Sequence, residues 1–197
     1  MALYCELENI ITESDVEQKF IYPFLKAETP IGLGLKDSEI LTKHILRKKL
    51  IDKGQKQKYY FPDYLVAIRG IPTLILEAKA PNELLANGYS EARLYAQEVN
   101  ASFPHKINAC QYIIASNGCE TWMGYVDQAE PVLRLIHSDF NIENKLFCEL
   151  VEHCSHEALL NLANRYYVDL RGNARFNSPV SQSVSYTHLT LPTTSRV

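Results

Sequence analysis

Asp63, Glu77 and Lys79 are charges set inside two apolar segments of the stretch YYFPDYLVAIRGIPTLILEAKAP, residues 59–81. A charge taken out of water costs several kcal/mol unless it is paired or holds a metal, so these three need a purpose. The two segments have the composition of β-strands, and Arg69-Gly70 between them forms a turn signal. Asp63 lies seven residues before Gly70 and Glu77 seven after it. In a symmetric antiparallel register the two carboxylates are then directly opposite, with Cβ atoms roughly 4.5 to 5.5 Å apart. Glu77 and Lys79 share a strand face about 7 Å apart. Two carboxylates so close repel each other, and a hard divalent cation relieves the repulsion. A lysine beside them can position and polarise a water. Together the three suit metal-assisted hydrolysis of a phosphodiester. The plainer alternative is a buried Asp63–Lys79 or Glu77–Lys79 ion pair. Three features favour chemistry. Pro62 withholds a ladder donor just before Asp63, which marks a distorted strand end. The charges sit at the end of the hairpin away from its turn. One carboxylate would also have sufficed to pair the lysine.

The flanking elements must hold that hairpin. Residues 12–26, TESDVEQKFIYPFLK, open with two overlapping capping-box patterns and carry Val16, Phe20 and Phe24 at helical spacing. Pro23 predicts a kink or early stop in this helix. A second helix is expected over 38–53, with Ile40, Leu41, Ile45, Leu46 and Leu50 inward. Strands are expected over 59–68 and 72–80, and an amphipathic helix over 82–100. QYIIAS (111–116) and TWMGYV (121–126) form a strand pair around the Asn117-Gly118 turn, and 141–168 has helical periodicity. This order predicts an α/β fold with a four-stranded mixed sheet flanked by helices.

The chain has 197 residues, 46 % of them hydrophobic, enough for one core, and residues 1–176 are assigned to one domain. From Asn177 the composition turns to Ser, Thr and Pro without periodicity. Its end, SYTHLTLPTTSRV, resembles translated sequencing-adapter read-through, so 177–197 is set aside as a disordered or artefactual tail. The net charge of −3 and a pI of about 6.1 exclude a generally basic nucleic-acid coat protein. Any contact with nucleic acid must come from a local patch. Five cysteines without C-x-x-C spacing argue against a disulfide framework and a zinc knuckle. With neither a signal peptide nor a membrane-length apolar run, a cytoplasmic protein is expected.

Pro62-Asp63 followed by Glu77-Ala78-Lys79 matches the PD-(D/E)xK nuclease motif. The wider pattern YFPDYLV…PTLILEAKAP…YA…ASNG…W resembles the N-terminal nuclease domain of type I restriction endonuclease R subunits, over roughly residues 10–126. The resemblance implies a restriction-endonuclease-like fold and DNA cleavage in defence against foreign DNA. It implies that Asp63 and Glu77 bind Mg²⁺ (Mn²⁺ as an alternative), and that Lys79 orients the attacking water. It also implies an acidic residue on the first helix. Glu13 shares a helix line with Phe20 and Phe24 and is favoured as the outer metal ligand, with Glu17 as the other candidate. The family's Gln-x-x-x-Tyr motif reads Glu91-Ala-Arg-Leu-Tyr95 here, so Tyr95 is kept and glutamate replaces glutamine. Arg93 on the adjoining turn is a candidate to compensate at a DNA phosphate.

Residues 43–58, KHILRKKLIDKGQKQK, concentrate lysine just before the hairpin. Lys48, Lys49, Lys56 and Lys58 are candidates to hold the DNA backbone without reading bases. The resemblance names modification and specificity subunits, and a fused ATP-driven motor in a full-length protein, as partners besides DNA. No phosphate-binding GxxxxGK[ST] loop occurs in the chain. The alternative reading is a catalytically inactive nuclease-fold module that binds nucleic acid or a partner protein.

Overall fold

The computed structural model describes residues 3–43, 61–101, 103 and 108–174, with side chains as far as residue 166. An N-terminal helical run, α1, combines α-helix Glu13–Asp15, a π-helical stretch Val16–Ile21 and α-helix Tyr22–Lys26. The Thr12 hydroxyl accepts from the Asp15 N–H while the Asp15 carboxylate accepts from the Thr12 N–H, a reciprocal cap that fixes where the helix starts. Pro23 neither stops nor splits the run, because the chain is wound wide immediately before it and Pro23 falls in the first turn of the last segment.

Among the described residues the sheet has six strands in sequential order: β1 Ile40–Thr42, β2 Tyr64–Ile68, β3 Ile71–Ala78, β4 Tyr112–Ser116, β5 Glu120–Tyr125 and β6 Leu133–Ile136. Only β3 and β4 run parallel, joined by the crossover helix α2, Leu85–Ala101. The sheet is therefore mixed and α/β as anticipated, but the expected four strands are six. Both additions are edge strands. β1 replaces the start of the helix expected over 38–53, since Ile40-Leu41-Thr42 finds a ladder on β2. Residues 44–53 of that expected helix lie outside the described residues, as does the 177–197 tail. β6 alternates buried and exposed residues against β5, but its four residues are too few to announce a strand. The C-terminal third forms α3 Lys145–Cys154 and α4 His156–Ala174.

Two cores sandwich the sheet. Val16, Phe20 and Phe24 of α1 pack with Val66, Leu74, Leu76, Phe147 and Leu159 on one face. Leu65, Ile75, Ile113 and Ala115 pack with Leu85, Tyr89, Ala92 and Ala96 of α2 on the other. Each strand of the β2–β3 hairpin is buried along its whole length, which explains its continuous apolar run. Among the described residues no helix is long and apolar enough to cross a membrane.

Candidate metal and active site

The hairpin register sets the site. Arg69 and Gly70 have φ of 53° and 81°, the pair of positive values that a tight two-residue turn requires. Ile68 pairs with Ile71 and Ala67 with Pro72, so an unbroken ladder would place Asp63 opposite Leu76. A bulge intervenes: Val66 pairs with Leu74, which leaves Thr73 as the extra residue. The shift carries through to Tyr64–Leu76 and brings Glu77 opposite Asp63. The buried Thr73 hydroxyl donates to the Val66 carbonyl at 3.3 Å and its own carbonyl accepts from Gln111 N–H at 3.2 Å, so the bulge is hydrogen-bonded on both sides.

Both carboxylates are buried, Asp63 at 2 % exposure and Glu77 at 4 %. Asp63 Oδ2 accepts from the Ala78 N–H at 2.8 Å, while Oδ1 pairs with Lys43 Nζ at 2.8 Å. The Asp63 N–H donates to Glu77 Oε2 at 3.4 Å, and Glu77 Oε1 lies 3.4 Å from Lys79 Nζ. Burial, followed by the field of Asp63, pushes the Glu77 carboxyl up to about 8, against the pull of Lys79.

Lys79 has a second and tighter partner. Its Nζ lies 2.6 Å from Glu91 Oε2 on α2. Burial works against the charge on Lys79, but the hydrogen bond to Glu91 and the fields of Glu77 and Glu91 prevail and raise its pKa. Gly88 makes room for the lysine: a Cβ there would lie 2.9 Å from Lys79 Cγ and 3.2 Å from Cε. The ion-pair alternative thus holds in part, because Lys79 does pair with Glu77. Asp63 takes its cation from elsewhere.

From the opposite layer α1 contributes Glu13 and Glu17. One carboxylate oxygen from each of Glu13, Glu17 and Asp63 lie within 4.8 Å of one another. Burial and the charges of Asp63 and Glu13 raise the Glu17 pKa. The Tyr64 hydroxyl donates to the Glu17 carbonyl at 3.3 Å and ties α1 to β2. The structure brings both helix acids to Asp63 rather than choosing between them. These donors are all carboxylate oxygens, and Lys43, whose charge also reaches Glu17, forms its direct ion pair with Asp63 alone among the three, so the group fits a hard cation such as Mg²⁺ or Mn²⁺. Glu77 adjoins this group through its hydrogen bond with Asp63.

Tyr95 packs against the α2 core within the fields of Glu77, Glu91 and Asp63, and its hydroxyl is pushed up to about 12 by burial. Arg93 is half-buried, and its charge acts on the Tyr89 phenol. Lys48, Lys49, Lys56 and Lys58 lie outside the described residues. Asn117 and Trp122 serve the fold. The Asn117 carboxamide caps the β4–β5 turn by accepting from Cys119 and Glu120 N–H, and Arg134 stacks 4.5 Å over the Trp122 ring.

Sequence reasoning missed two residues of this site. Lys43 was legible only as the first member of a basic run. Gly88 carried a usable signal, since an unforced glycine inside a helix costs about 1 kcal/mol and implies a close approach.

Comparison with known families agrees with the resemblance in the sequence. Residues 50–132 match the family described as type I restriction enzyme R protein N terminus. The match contains Asp63, Glu77, Lys79, Glu91 and Tyr95, and leaves out Glu13 and Glu17. No curated protein and no solved structure matches the chain significantly.

Proposed function

We propose that this chain, related over residues 50–132 to the N terminus of type I restriction enzyme R proteins, is a Mg²⁺-dependent DNA endonuclease domain acting in the cytoplasm against foreign DNA. The observation that carries the reading is the meeting of Asp63, Glu77 and Lys79 with Glu13 and Glu17 at the open end of one hairpin. Asp63, Glu77 and one or both helix acids would hold the cation. When bound, it supplies Lewis acidity at the phosphoryl oxygen and lowers the pKa of a coordinated water.

The chain's own groups do the rest. Asp63 is held in one orientation by the Ala78 N–H and Lys43, so its carboxylate needs no reorganisation before reaction. Lys79 stays cationic, so it acts as a donor that orients the attacking water and steadies charge at the phosphate. It cannot serve as a base. Tyr95 borders the site from α2 within the fields of Glu77, Glu91 and Asp63; Arg93, together with Lys48, Lys49, Lys56 and Lys58 outside the described residues, would supply backbone contacts. Modification and specificity subunits, and a motor domain in a longer protein, are the partners this reading implies.

Nicking of supercoiled plasmid tests it. Cutting should require Mg²⁺ or Mn²⁺, and Asp63→Ala, Glu77→Ala and Lys79→Ala should each reduce it at least a hundredfold. Full activity in Lys79→Ala would sink the assignment. Glu91 favours a second reading, a module that binds DNA without cutting, because a carboxylate stands where the Gln-x-x-x-Tyr motif of the resemblance has glutamine. That reading predicts retained DNA binding with no cutting by any of the four proteins.

A further inference from the structure

We propose that Glu91 holds Lys79 until a nucleic-acid phosphate displaces it, so that Glu91 sets how tightly this site takes DNA; the inference rests on the endonuclease reading above. The ammonium of Lys79 lies 2.6 Å from Glu91 Oε2 and 3.4 Å from Glu77 Oε1, so its stronger bond points to α2 and away from the hairpin. That direction is built into the helix. Gly88 is the cradle for the aliphatic stem, with its missing Cβ 2.9 Å from Lys79 Cγ, and Glu91 one turn further on receives the charge.

The exposures differ in the sense a latch needs. The Lys79 side chain is 13 % exposed and the Glu91 side chain 46 %, so the carboxylate is the partner more open to solvent. A phosphodiester approaching Lys79 competes for the same N–H donors and meets a like charge. Glutamine at this position would accept the same hydrogen bond without the repulsion. Glu91 is a positioning residue: it acts through Lys79.

Four proteins decide it: wild type, Glu91→Gln, Lys79→Met and the double variant. Affinity for a fluorescein-labelled DNA duplex, read by anisotropy in Ca²⁺, should tighten 5- to 20-fold in Glu91→Gln. In the Lys79→Met background the same change should give a much smaller gain, because only the direct repulsion of phosphate by Glu91 is then relieved. With Mg²⁺ the gain should appear in KM rather than kcat. Equal tightening in both backgrounds, or none in either, overturns the latch even when wild type cuts DNA. Metal-free melting of the same proteins gives a readout independent of DNA. The two substitutions should be non-additive because each removes the same charge–charge attraction. Strict additivity overturns the proposal. Coupled melts with no DNA binding by any form would overturn the endonuclease reading, and displacement by phosphate with it.

Discussion

Asp63 and Glu77 confront each other as buried carboxylates at the open end of the β2–β3 hairpin, joined by an Asp63 N–H donated to Glu77 Oε2 at 3.4 Å. The arrangement is costly without a cation. Burial and Asp63 hold the Glu77 carboxyl up at about 8, so the native state keeps a proton that the unfolded chain releases near pH 4.5.

A raised carboxylate pKa means its cost is absent below the unfolded value and grows as pH rises from there to about 8. In EDTA, Glu77→Gln should match wild type near pH 4.5 and exceed it at pH 8 by about 2 to 4 kcal/mol. Urea melts across that window check the difference. A Glu77→Gln protein that is the less stable one at pH 8 would show the ion pair with Lys79 to be the dominant interaction.

Lys43→Met tests the partner of Asp63. The substitution leaves a carboxylate of 1 % side-chain exposure with the Ala78 N–H but without its cation. Metal-free stability should fall by about 1 to 3 kcal/mol. Because Lys43 also competes with a cation for Asp63, apparent Mg²⁺ affinity by calorimetry should rise. A fall in both would contradict that competition.

Gly88→Ala separates site geometry from helix stability. Alanine favours the helix by about 1 kcal/mol, yet its Cβ would press on Lys79 Cγ at 2.9 Å. Melting temperature should change by no more than a few degrees, while plasmid nicking falls at least tenfold. Unchanged nicking would show that the lysine tolerates displacement.

Much of this was legible in the sequence, through the burial of charge. Asp63, Glu77 and Lys79 declare themselves as charges in apolar strands, and counting about Gly70 pairs the two carboxylates. The fold reaches that pairing by another route, a two-residue turn corrected by the Thr73 bulge. A bulge residue has no composition of its own, so only coordinates reveal it. β1 hid because Ile40 and Leu41 satisfy a helical period as well as a strand. The Lys79–Glu91 contact joins a strand to the crossover helix after it, and no local pattern encodes such a distance.

If these carboxylates form a divalent-cation site, thermal melting at pH 7.5 should depend on Mg²⁺ or Mn²⁺. A site present only in the folded state stabilises it by mass action, about 2.7 kcal/mol at a hundred times Kd. Wild type should melt several degrees higher with either ion. Asp63→Asn, which removes the carboxylate between Glu77 and the helix acids, should not respond. A wild-type melting temperature indifferent to both ions, or an Asp63→Asn protein that responds equally, would mean that these carboxylates hold no divalent cation.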